Sequence, residues 1–315
     1  MRIGGLATLV ACAVGALAVA GCGSSSSSSS ASSNQVVRAA FVSGNTSGYQ
    51  MHFTLQLHSS ALPQPINATG TGAFSVPDRS GTVALDMDLG SSPQITQVLG
   101  SSTLHLEEIL DHTTVYLKFP EALASKIPTL GDKPWIKIDL AKAASAAGLP
   151  GIGSLVNNPA SSDPGQFLQY LRAAGTVTQA GTESINGVQT TKYKATISLD
   201  KVANSIPPAS RAAAQQGIAA IEKATNLHTI QTTVWIDDQN LVRRMQFTLN
   251  ESVSGQNVAS TVTVDFVKYG PQPKPTLPPA DQVTDASSLA SGAFGSGGAS
   301  SSGSSGITSL GSSGG

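Results

Sequence analysis

Tyr49-Gln50-Met51-His52-Phe53-Thr54-Leu55-Gln56-Leu57-His58 alternates large apolar side chains with polar ones along its whole length. Successive side chains of a β-strand point to opposite faces, so this stretch predicts a strand packed on one side and wet on the other. The alternation returns in Val83/Leu85/Met87/Leu89, Leu104/Leu106, Val115/Leu117/Phe119 and Ile136/Ile138/Leu140. It returns again in Val234/Ile236, Met245/Phe247/Leu249 and Val262/Val264/Phe266. Turn chemistry separates these runs: Pro77-Asp78-Arg79-Ser80-Gly81, Asp111-His112, Ile185-Asn186-Gly187 and Asp237-Asp238-Gln239-Asn240. Short turns join antiparallel neighbours.

Three helical segments interrupt the strands. Leu140 to Ala147 stops at Gly148 with Pro150 beyond it, the usual C-terminal punctuation. Asp163, Pro164 and Gln166 form a capping box at the head of a helix whose apolar stripe is Phe167, Leu168 and Leu171. An alanine-rich helix from Pro208 to about Ala224 carries only Ile218 and Ile221 as large anchors. It buries little, so it opens at low cost and suits a mobile cover. A sheet of about ten antiparallel strands curls rather than staying flat. The expected fold is therefore α+β, a curved antiparallel half-barrel with helices packed on its concave face. With only 2 Trp, 5 Tyr and 8 Phe in 315 residues, the inner wall is aliphatic and has the shape of an apolar groove.

The two ends read differently from this body. After Arg2 the chain runs uncharged to Val19-Ala20-Gly21-Cys22, which resembles a bacterial lipoprotein signal with its lipobox. Residues 1–21 are then the signal peptide and Cys22 is the lipidation site. Cys12, inside the apolar run, is a small hydrophobe of the signal. Gly23 to Ser33 is almost unbroken serine and reads as a coil tether over 22–34. The folded domain spans 35–270. Residues 271–315, proline-rich and then Ser/Gly-rich, read as a disordered tail.

Charge and chemistry narrow the function. A formal net charge of −1, from 18 Lys+Arg against 19 Asp+Glu, supplies no field for nucleic acid. Both cysteines lie in the signal region, so the body has no disulfide or thiolate metal site. No phosphate loop or nucleophile elbow occurs, and the nearest serine context, Gly151-Ile-Gly-Ser154-Leu, lacks the closing glycine. His52 and His58 share a strand face but stand about 20 Å apart, too far to hold one ion. Asp86 and Asp88 suit a wet face better than a carboxylate pair for sugar hydrolysis. Lys192 and Lys194 read as a solvated face, and Arg243 and Arg244 as pointing to opposite faces. No catalytic residue, metal or cofactor is expected.

Gln179-Ala-Gly-Thr-Glu183, Ile185-Asn-Gly-Val-Gln-Thr-Thr-Lys-Tyr193, Thr233-Val-Trp-Ile-Asp237 and Leu241-Val-Arg-Arg244 resemble the second half of the actinobacterial LppX/LprAFG lipoproteins. Pro134-Trp-Ile-Lys-Ile-Asp139 is similar to their middle strand. The resemblance implies a LolA-like half-barrel that binds acylated lipid or lipoglycan and carries it across the periplasmic space. A membrane transporter is a partner the sequence leaves open. The expected lining of the groove is Met51, Phe53, Leu55, Leu85, Met87, Leu104, Leu106, Val115 and Leu117 from the sheet. Phe167, Leu171, Ile218 and Ile221 are expected to line it from the helices. The expected location is the cell membrane, anchored through acylated Cys22 and facing the periplasm or cell-wall side. Two other functions fit the same residues: a structural or interaction lipoprotein with a filled core, and an envelope hydrolase using Asp86 or Ser154.

Overall fold

The structure is a computed structural model of the chain, and it describes residues 27–60, 64–90, 100–121, 133–146, 177–205, 208–253 and 255–287. Twelve strands form one curved, unclosed sheet that is antiparallel except at one edge. The first wing is a meander of β1 (Gly48–Ser59), β2 (Ile66–Ser75), β3 (Ser80–Asp88), β4 (Thr103–Asp111), β5 (Thr114–Lys118) and β6 (Trp135–Asp139). The chain then crosses to the far edge and returns through β7 (Val177–Ile185), β8 (Val188–Ser198), β9 (Thr229–Ile236), β10 (Val242–Val253) and β11 (Gln256–Tyr269). The wings join where β1 pairs with β11, from Tyr49↔Tyr269 to Ser59↔Val258. A last strand, β12 (Val283–Asp285), lies parallel to β6 at the first wing's outer edge.

Directly paired residues share a face, so the registers assign every side chain. Tyr49, Met51, Phe53, Leu55 and Leu57 fall on one face with Leu85, Met87, Leu104, Leu106, Val115, Leu117, Val262, Val264 and Phe247. The same face continues as Val234, Tyr193, Ala195, Ile197 and Val177. The face is mainly apolar across both wings. The opposite face carries His52, Thr54, Asp86, His105, Lys118, Lys192, Arg244 and Asp265.

The turns form where the sequence places them. Arg79, His112, Asn186 and Asn240 take left-handed φ of 48° to 62°, and Gly187 takes 82°. Such turns favour Asn and Gly, whose short or absent side chains tolerate that region. Gly70 has a different role: a Cβ there would meet the Ala84 carbonyl oxygen at 2.5 Å and the Phe53 ring, so the strand interior needs glycine to let Phe53 lie over it.

Four α-helices are described: α1 (Ser27–Gly44), α2 (Leu140–Ala146), α3 (Leu199–Ser205) and α4 (Pro208–Thr225). α2 and α4 match the helices expected at Leu140 and Pro208. The helix expected after Asp163 lies outside the described residues. α1 differs from expectation, because the serine run is helical from Ser27 rather than coil to Asn34. Val36 and Ala39 one turn apart explain it. They are buried against Val177, Tyr193, Val234 and Ile236, and tertiary burial overrides the poor helix propensity of serine. The other end differs too. Gln50 Nε2 donates to Gln272 Oε1 at 3.0 Å, Ala286 N donates to the Lys137 carbonyl at 2.9 Å, and Asp139 N donates to Ser287 Oγ at 3.0 Å. Residues 271–287, expected as the start of a free tail, are therefore docked on the sheet as an extended strap, with Ala286 and Ser287 buried.

Candidate functional site

The candidate site is the apolar face. One buried cluster spans the seam between the wings: Met51, Leu55, Leu85, Met87, Leu104, Leu106, Phe247, Val262 and Val264, with Phe53 packed against it. Leu85 is 9% exposed and Leu106 4%. Val115 is buried and Leu117 half-buried beyond them. The registers thus bring the nine expected sheet residues onto one face of the sheet. Of the expected helix residues, Ile218 is half-buried on α4, which packs against α3 and β10. The side chain of Ile221 and all of Phe167, Leu171, Ser154 and Cys22 lie outside what is described.

The two ends of this face are unlike. At the Tyr49 end the rings run Phe74, Tyr49, Phe266, Tyr269 with neighbouring centroids 5.3 to 5.9 Å apart; the outer two pairs stack and Tyr49 meets Phe266 edge-on. Burial pushes the Tyr49 hydroxyl up to about 12 and raises Tyr269 as well. Aromatic rings pack this end. At the Ser59 end a hollow of about 620 Å³ opens between the ends of β1, β10 and β11 and the chain after α4. Its walls mix polar Gln64, Asn226, Asn250, Glu251 and Asn257 with apolar Pro65, Val258 and Ala259. His58 also lines it.

Polar groups interrupt the apolar face at three places that the sequence analysis did not single out. Glu108 sits between Val83 and Leu117 in the register, and burial pushes its carboxyl up to about 7. Burial also raises the Glu251 carboxyl. Thr232 is 3% exposed, and its hydroxyl has no hydrogen-bond partner among the described residues. A signal for Glu108 was present in Leu104-His-Leu106-Glu-Glu108-Ile-Leu110, where a charged residue occupies the apolar register.

The polar face carries paired charges. Glu183 Oε2 accepts from Trp235 Nε1 at 2.9 Å and from Lys192 Nζ at 3.1 Å. These bonds, Trp235 first, hold its carboxyl below the ordinary range. Lys192 Nζ and the Arg244 guanidinium lie 5.0 and 5.8 Å from the Trp235 ring centroid. Arg244 forks onto Asp265, with Nη2 to Oδ2 at 2.6 Å. Arg243 instead bonds Asp237 and stands over the Tyr269 ring, so the two arginines do point to different surroundings. Asp237 closes its turn by accepting from Gln239 N, Leu241 N and Arg243 Nε. Asp86 bonds His105 Nδ1 at 2.7 Å in the open, and Asp88 caps the turn at Gly90. Neither carboxylate faces the other across a cleft that would hold a sugar bond.

A second hollow, of about 630 Å³, lies on the polar face beside the strap. His52 lines it, while His58 lines the first, so the two histidines serve different surfaces. Met51 is the only expected groove residue on the wall of either hollow.

No family model matches the chain and no curated protein matches it. Among solved structures it is similar to the lipoprotein LppX of Mycobacterium tuberculosis, at 10% identity and a TM-score of 0.41, over 78% of this chain and 97% of that one. It is also similar to LprF from Mycobacterium bovis, at 16% identity and a TM-score of 0.36, over 80% of this chain and 99% of that one. Both bear names of the lipoprotein group that the stretches 179–193 and 233–244 resemble.

Proposed function

We propose that the chain is an envelope lipoprotein, acylated at Cys22, that shelters the acyl chains of a lipid or lipoglycan along its apolar face and carries them through the periplasmic space. The observation that supports this reading is the broad apolar face running across both wings, with packed aromatic rings at its Tyr49 end and a hollow of mixed polar and apolar lining at its Ser59 end. Each methylene moved from water to such a surface contributes about 0.8 kcal/mol, so two long chains bind without any catalytic group. Tails lie toward Tyr49 and the head group toward Ser59. α4, tied to α3 by Gln215 Nε2 donating to Asn204 Oδ1 at 2.9 Å, is the element that moves to admit them. No catalytic step enters this function.

A filled core without a ligand is the second reading, and the low exposure of Leu85, Met87, Leu104 and Leu106 favours it. Native mass spectrometry of the protein purified from membranes, with uptake of a fluorescent fatty-acid probe, separates the two. Carriage predicts co-purified lipid and saturable uptake that a bulky Thr232→Trp substitution on the apolar face reduces. Bare protein that takes up no probe establishes the filled core.

A further inference from the structure

We infer that the hollow beside the strap binds a neutral saccharide, independently of anything held on the apolar face. The strap leaves β11 at Gly270 and reaches β6 at Val283. Six strand spacings of about 4.8 Å separate those strands. An extended proline-rich arm rising about 3.1 Å per residue spans that distance with slack. Thr276 lines the hollow together with His52, Thr71 and His105, so the arm passes over the polar face and borders the hollow. The open hollow, about 630 Å³, falls in the size range of small-molecule sites.

Its wall chemistry selects the ligand class. The basic groups at its rim are already paired: Lys118 Nζ donates to Glu107 Oε1 at 2.8 Å, and His105 is held by Asp86. Glu108 also lines the hollow, and burial raises its carboxyl, which favours the neutral acid. No uncompensated cation remains there to draw a phosphate or carboxylate. His52 and the hydroxyls of Thr71 and Thr82 have no side-chain partner among the described residues. They offer donors and acceptors at once. Between them lie apolar surfaces of Ala84, Ile109, Trp135 and Val267, the last 38% exposed. Hydroxyl-bonding groups set among apolar patches match a pyranose, which presents hydroxyls at its rim and C–H groups on its faces. A purely apolar guest would strand the polar groups without partners.

The test uses the full-length protein in a detergent without a sugar head group, with maltotriose, mannotriose and chitotriose as probes in saturation-transfer difference NMR at millimolar concentration. At least one of the three is expected to receive saturation. Ala84→Arg, which fills the hollow from the middle of β3, abolishes it. His52→Ala, which removes one hydrogen-bonding side chain, weakens the titrated affinity about tenfold. Fatty-acid probe uptake on the same samples stays unchanged in both variants, which separates this site from the apolar face. Absence of saturation in all three trisaccharides overturns the inference. Undiminished transfer in a folded Ala84→Arg protein, judged by its circular dichroism, overturns it equally.

Discussion

Glu108→Gln should change how stability depends on pH. The carboxyl stands on the apolar face between Val83 and Leu117, and burial moves it from the ordinary 4.5 to about 7. A raised folded-state value means that the folded protein keeps a proton which the unfolded chain has already released. Stability is therefore full below about pH 4.5 and falls as pH rises, levelling off above about 7. At about 1.4 kcal/mol per pH unit the whole fall is on the order of 3 kcal/mol, of which about 2 kcal/mol lies above pH 5.5. Glutamine keeps the shape and cannot ionise. Urea unfolding of both proteins at pH 5.5 and pH 8 supplies the comparison, in which histidines and other carboxylates cancel. The stability of the variant relative to the parent should rise by about 2 kcal/mol between the two pH values. Parallel curves would show that Glu108 is solvated and that the apolar face is wet at this point.

Asp237→Ala should destabilise the fold by about 3 to 5 kcal/mol, because it orphans Arg243 and two turn amides around a side chain only 1% exposed; a denaturant midpoint within experimental error of the parent's contradicts this. Gly70→Ala should cost about 1 to 3 kcal/mol, as the new methyl meets the Ala84 carbonyl and displaces the Phe53 ring. An unchanged melting curve would mean that the two strands separate freely. Trp235→Phe keeps the ring between Lys192 and Arg244 but removes the donor to Glu183, so the NMR-titrated Glu183 carboxyl should move up toward its ordinary value. Cys22→Ala should release the protein from the membrane fraction or stall its processing, and unchanged fractionation with unchanged mass refutes the anchor.

The sheet was legible because its signal is local. Met51 to Leu57 alternates on its own, and Asn186-Gly187 or Asp237–Asn240 declares a turn without reference to distant chain. Two buried classes were not legible. α1 draws its stability from Val36 and Ala39 meeting Val177 and Ile236, contacts that no serine-run statistic contains. β12 is three residues after a proline-rich arm, and only its partner β6 makes it a strand. The same holds at the site. The alternation put the nine expected sheet residues on one face, but the Trp235–Glu183 bond spans 52 positions and needs the register of three strands. The hollow on the polar face beside the strap needs the strap itself.

The seam between β1 and β11 sets an order on folding. The first strand pairs across some 220 positions with the last long one, so the two meanders assemble as separate local units and zip together only after the chain is nearly complete. Until then β1 and β11 each present a bare edge of amides and carbonyls, the feature that invites pairing with a neighbouring chain. A chain built this way and exported as proposed above emerges with its first half unable to bury that edge. Its dependence on a holding chaperone should therefore end only when residues 256–269 have crossed, and pulse-labelled hydrogen exchange would find the seam amides protected last.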